Sequence, residues 1–443
     1  MTAAGLSLDP SSLMTHACHD ERRVTWAELF YDLVFVAAVA QVGAVLAHDY
    51  SLGGLGRYAF MLGVIWWAWN GYAMYATRFV AEDRLQQTLT ALQMVAVIFM
   101  AANAEGPLDS LSTAGFLAAY GVMRLILVLQ YLRALAIPAA RRLAHENAVG
   151  ITIAASVWLV SALTPAPARY GLWMAAFAID IITTIRTSRY TRTLPPNAHH
   201  LPERFGLFTL ILLGESIIAI MKGIQAQPEW SLQAASAAFL GIALIFGLWW
   251  WYFDGAAAAS HRPIRDDADA RRLAIWNYAH LPVYLGLAVT AVGIEHVVRS
   301  GAAEPLHGIE GWILCAAASA VMAALVVLTA VSSKGHDRQF TRPAILAAVP
   351  LALAVAAPLV SPSLLVAGLA GLTAVQLAIL PKQLEDDDPA RSGDVERVLA
   401  AQHRDADDDV TRIDDRPGQS VYFVPEHYAH RKSRPPVVEI DRA

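Results

Sequence analysis

The chain has 443 residues, 56% hydrophobic and only 16% charged, with a formal net charge of −5. Soluble domains carry about 25% charged residues. Here 24 of the 71 charges fall in residues 383–443, so the preceding stretch reads as a polytopic membrane protein and excludes a soluble globular fold. The charge pattern marks no nucleic-acid partner, and two cysteines, Cys18 and Cys315, give no disulfide framework.

Residues 1–23 are polar and lack the apolar core of a cleavable signal. The first apolar span, about 24–48, is long enough to cross a bilayer, which needs roughly 20 apolar residues. Glu28 and Asp32 sit inside it, four apart and therefore on one helix face. A carboxylate there costs about 2.5–3.5 kcal/mol on insertion scales, so it is expected to serve partners, ions or protons. Further spans follow at about 55–79, 84–103, 110–136, 143–163, 168–187, 202–224, 231–258, 271–298, 309–332, 341–360 and 363–381. The predicted fold is all-α, a bundle of about twelve transmembrane helices.

Lysine and arginine set the orientation. The N-terminal segment and the loops after even-numbered helices hold 18 of them, and the other loops hold four. Both termini are therefore predicted to be cytoplasmic, in the plasma (inner) membrane. Trp66-Trp67-Ala68-Trp69-Asn70-Gly71 in helix 2 aligns with Trp250-Trp251-Tyr252-Phe253-Asp254-Gly255 in helix 8. Glu28 matches Glu203 at the start of helix 7, and Gln93 matches His280 more loosely. Helices 1–6 and 7–12 would then be parallel repeats, as in two-halved carriers. The organisation read here is 1–23, a cytoplasmic segment; 24–187 and 188–381, two transmembrane halves; and 382–443, a disordered acidic cytoplasmic tail. Within that tail, Val421 to Tyr428 is apolar and aromatic enough to dock on a protein partner.

At 1.5 Å per residue, Asp32, Asn70, Gln93, Arg124, Asp180, Asp254 and His280 lie roughly 6–15 Å below the cytoplasmic surface, and Glu215 lies roughly 18–20 Å in. Charges at such depth must face one another or water. Asp32, Glu215, Asp254 and His280 are the candidates for handling ions, protons or a ligand. His280 precedes Leu281-Pro282, where proline removes a helix hydrogen bond. The plainer alternative for His280 is a satisfied packing histidine. Glu28 is expected to pair with Arg78 at the interface, Glu203 with Arg204, and Arg124 with Asp180. Trp66 and Trp250 belong to clusters that either line a pocket or pack. No nucleotide, hydrolase or spaced metal motif is present, and no cofactor is implied.

The chain resembles the bacterial low temperature requirement A family. The matching residues are Glu28 to Phe35, Trp66 to Trp69, Thr77-Arg78-Phe79, the string Glu203 to Ser216, Trp249 to Asp254, and His280-Leu281-Pro282. The resemblance covers roughly residues 20–380; a tyrosine stands at 31 where the family often has phenylalanine, and the family often has an alanine near Pro202. It implies a multi-pass membrane protein and names a phenotype, with no biochemical activity to carry over. Three function classes follow. The first is a proton- or cation-linked transporter or channel-like protein with a small ion or small-molecule substrate. The second is a membrane-embedded enzyme acting on lipids or isoprenoids, and the third a non-catalytic stress-adaptation protein.

Overall fold

The computed structural model describes residues 14–15, 24–80, 83–106, 108, 110–227, 231–257, 264, 266–301, 306, 308–333 and 340–385. The tail from residue 386 on, with its 421–428 stretch, and Cys18 lie outside them; residues 382–385, read from the sequence as the start of the tail, belong to the last helix. Twelve helices run in chain order: α1 Trp26–His48, α2 Leu52–Ala76, α3 Arg84–Ala102, α4 Leu111–Ala134, α5 Arg141–Leu163, α6 Ala168–Ser188, α7 His200–Gln225, α8 Leu232–Trp250, α9 Asp267–Arg299, α10 Glu310–Ser332, α11 Thr341–Ala356 and α12 Pro362–Glu385. A two-residue antiparallel ladder pairs Met14–Thr15 with Phe79–Val80.

The helix starts follow local chemistry. Thr25, Ser51, Asp83, Ser110, Ser231 and Asp266 each accept a backbone N–H from the first turn that follows, which satisfies donors a helix otherwise leaves orphaned. Ser51 starts α2 three residues before the expected boundary for this reason. Among the described residues eleven helices are long and apolar enough to cross a membrane. The exception, α2, has 25 residues and carries Trp66, Trp67, Trp69 and Asn70 together with five glycines and three tyrosines. It can be this polar because it lies between other helices: Trp66 and Trp69 are fully buried. The perimeter is the reverse, with Phe99, Leu163, Ile185 and Phe239 all exposed. Apolar surface on this scale belongs in lipid.

One correction concerns the eighth span. It does not continue as regular helix: Trp251–Ala257 winds as a π-helix. The wider turn shifts the register of side chains, so Trp251 and Tyr252 enter the core while Trp250 and Asp254 face outward.

The long helix α9, 33 residues or about 50 Å, is the spine; α1, α2, α7, α8 and α10 all pack on it. Its contact with α10 depends on glycine. A Cβ on Gly286 would lie 2.6 Å from Val321 Cγ2 and 2.8 Å from the Ala317 carbonyl oxygen. Small residues allow such close approach inside membranes. Gly286→Leu is expected to lower stability by about 1–3 kcal/mol through overpacking. Thermal unfolding in detergent measures it, and an unchanged midpoint would count against this contact.

Candidate functional site

Polar side chains inside the bundle gather in three places. The first is a dry core. Arg204 Nη2 donates to Asp32 Oδ1 at 2.5 Å and Nε to Oδ2 at 3.4 Å, while Trp69 Nε1 donates to Oδ1 at 2.7 Å. Both charged side chains are fully buried. The guanidinium faces the rings of Tyr31, Trp69 and Tyr72 at 5.3–5.8 Å, an arrangement that replaces part of its lost hydration. Close by, His280 sits among Phe205, Trp276 and Tyr284. Its Nδ1 lies 2.7 Å from the Trp276 carbonyl and so donates there, leaving Nε2 to accept from the Tyr252 hydroxyl at 3.0 Å. His280 is a satisfied, fully buried histidine, within a helix that continues through Pro282.

The second place is a cavity of about 220 Å³ between α2, α4, α5, α6 and α9, toward the arginine-rich end. Arg78, Arg124, Asp180, Asn70, Asn147 and Asn277 line it, with Trp67 and Tyr278 stacked at 5.9 Å on one wall. Arg124 and Asp180 form the expected ion pair, with Trp158 Nε1 also donating to Asp180 at 3.5 Å. Trp66 lies behind this wall, its ring 5.9 Å from Tyr278.

The third is a cavity of similar size between α1, α7 and α9 toward the opposite end, walled by small residues and by His48, Glu215, Lys222, Glu295 and Arg299. Glu215 lies 3.8 Å from Lys222, and Glu295 is bonded to Arg299.

The four residues singled out for ion or proton handling do not converge. Asp32 and His280 belong to the dry core and line neither cavity, Glu215 lines the far one, and Asp254 is exposed, accepting from Trp250 Nε1. Two expected ion pairs are also corrected. Glu28 closes a capping box with Thr25 and accepts from His200 Nε2 at 3.2 Å. Arg78 instead donates Nη1 to the Met74 carbonyl at 3.0 Å and Nε to the Leu194 carbonyl at 3.2 Å. Equal depth set them level, but they point to different neighbours. Arg204 leaves Glu203, which accepts from the Val24 amide at 3.2 Å, because adjacent helix residues do not face each other. Gln93 is buried and donates to Gln130 at 3.3 Å, away from His280.

Residues the sequence pattern did not single out are Asn147, Asn277, Tyr278, Lys222, Glu295 and Arg299. Asn277, three before His280, and Glu295, a carboxylate inside the ninth span, were visible as polar residues within apolar spans. Among the described residues no three His, Cys, Asp or Glu side chains gather closely enough to hold a metal ion.

A twelve-helix bundle with an apolar perimeter, a sealed ionic core and polar cavities toward both ends is a multi-pass membrane protein. The family model "Bacterial low temperature requirement A protein (LtrA)" matches residues 23–375, and the chain belongs to that family. It is also similar to an uncharacterised protein of Rhizobium meliloti (strain 1021), 29% identical over 287 residues, which is 62% of this chain and 69% of that protein.

Proposed function

We propose that the chain is a proton- or cation-linked transporter of the plasma membrane, with both termini cytoplasmic. The observation that carries this reading is the pair of cavities, one toward each end of the bundle, with ionisable groups at membrane depth in both and α9 lining both. Between them lies the closed core of Asp32, Arg204, Trp69 and His280. Carriers place their sites within the bilayer and move one half against the other. The neighbour pattern supports two halves: α1 on α2, α1 on α3, α3 on α4 and α4 on α5 recurs as α7 on α8, α7 on α9, α9 on α10 and α10 on α11. The excess of arginine at one end supports the cytoplasmic assignment of that end.

In this reading Glu215 and Glu295 hold the coupling proton or cation, since intramembrane carboxylates facing a cavity mark such paths. Asp32 and His280 serve the core that separates the two cavities. Purified protein in liposomes, given a pH, sodium or potassium gradient, is expected to pass one of these ions. Glu215→Gln is expected to cut that flux roughly tenfold or more. No flux for any of the three ions, or a Glu215→Gln variant as active as the parent, would overturn the proposal.

A further inference from the structure

We infer that the cavity between α2, α4, α5, α6 and α9 binds a small hydroxylated monocarboxylate, with Arg78 as the residue that receives the carboxylate. The charge ledger comes first. The groups of the lining that are charged at neutral pH are Arg78, Arg124 and Asp180. Arg124 and Asp180 neutralise each other. Arg78 has no carboxylate within ion-pair distance among the described residues. It is more than nine-tenths buried, Nε and Nη1 each donate to a main-chain carbonyl, and Nη2 bonds no described group. A buried guanidinium held only by neutral carbonyls retains an unbalanced charge of +1, which is costly unless an anion completes it. One negative charge completes it.

The rest of the wall narrows the class of anion. Asn70 and Asn277 are buried, and the carboxamide oxygen of each lacks a hydrogen-bond partner. Buried acceptors of this kind call for donors, which a hydroxyl on the ligand supplies. The stacked Trp67 and Tyr278 rings offer a flat apolar face. At about 220 Å³ the space is smaller than the roughly 300–1,000 Å³ of sites for drug-sized ligands. It suits a compact molecule with one carboxylate, one or two hydroxyls and an apolar or aromatic body. Carboxylates also match the planar arginine fork.

This inference deepens the transporter reading and rests on it for its biological use, but it is tested by binding alone, so either can fail while the other stands. Full-length protein in lipid nanodiscs is titrated calorimetrically with 4-hydroxybenzoate, with its neutral isostere 4-hydroxybenzamide, and with inorganic phosphate. The carboxylate is expected to bind at least about tenfold more tightly than the amide, the ratio one charge-assisted hydrogen bond supplies. Arg78→Gln is expected to erase that preference and Arg78→Lys to retain part of it. If Arg78→Gln does not fold, Asn277→Leu replaces it and is expected to weaken 4-hydroxybenzoate relative to benzoate. No preference for the carboxylate, an Arg78→Gln variant that keeps it, or binding of phosphate alone would overturn the assignment. So would binding lost whenever the nanodiscs contain phosphatidylglycerol, because the occupant would then be an anionic lipid headgroup.

Discussion

Arg204→Met is expected to lower the stability of the bundle by about 3–5 kcal/mol, the cost of leaving one partner of a buried ion pair uncompensated. Asp32 would keep only the Trp69 N–H, in a site closed to water on every side. The double variant Asp32→Leu with Arg204→Met is expected to recover most of the loss, because a buried pair replaced by apolar residues of similar volume is often neutral or stabilising. Arg204→Lys should fall between, since an ammonium cannot reach both Asp32 oxygens as the guanidinium does. Unfolding of the parent, Arg204→Met, the single variant Asp32→Leu and the double variant in one detergent forms a double-mutant cycle that isolates the pair. A double variant no more stable than Arg204→Met would show that the arginine acts through its packing against Tyr31, Trp69 and Tyr72 instead.

Arg124→Leu makes the second large effect, toward the lower end of the same range, about 3 kcal/mol. The pair with Asp180 is buried, slightly less completely than the first, and it borders a cavity. Water or a ligand can reach part of the space that the lost guanidinium leaves, which softens the penalty on Asp180. The variant also changes the cavity's charge from +1 to zero. It should therefore destabilise less than Arg204→Met and abolish the carboxylate preference of the cavity. Measuring melting and binding on the same preparation separates the two consequences. Arg124→Leu losing more stability than Arg204→Met would contradict the difference in hydration between the two sites.

The contrast between these pairs shows what was legible. Arg124, always charged, needs a carboxylate or an anion within the membrane, Asp180 is the carboxylate expected for it, and the two do pair. Depth misled for Glu28 and Arg78, which are level but meet His200 and two main-chain carbonyls respectively. Glu203 and Arg204 were joined by adjacency, yet the helix turns about 100° between them, sending one to the surface and the other into the core. The Thr25-x-x-Glu28 capping box was readable from four residues and would have explained Glu28 without a distant partner. Glu215 and Glu295 stand 80 positions apart, and their shared cavity is visible only in three dimensions. Asp254 left the expected group because seven residues wind as a π-helix, a register change that no periodicity in Trp249 to Asp254 announces.

By itself the sequence determined the helices and which polar groups fall inside the apolar spans. Helix starts are local, set by Ser51, Asp83, Ser110 and Ser231 bonding their own first turns, and a group's position along its helix follows from the fixed rise per residue. Only the tertiary structure decided which way each group faces. Rotation about a helix axis and the choice of neighbour depend on how all twelve helices pack together, through close contacts such as Gly286 on Ala317 and Val321. That packing sealed Asp32 against Arg204, satisfied His280, turned Asp254 outward, and left Arg78 beside a cavity with no counter-charge among the described residues.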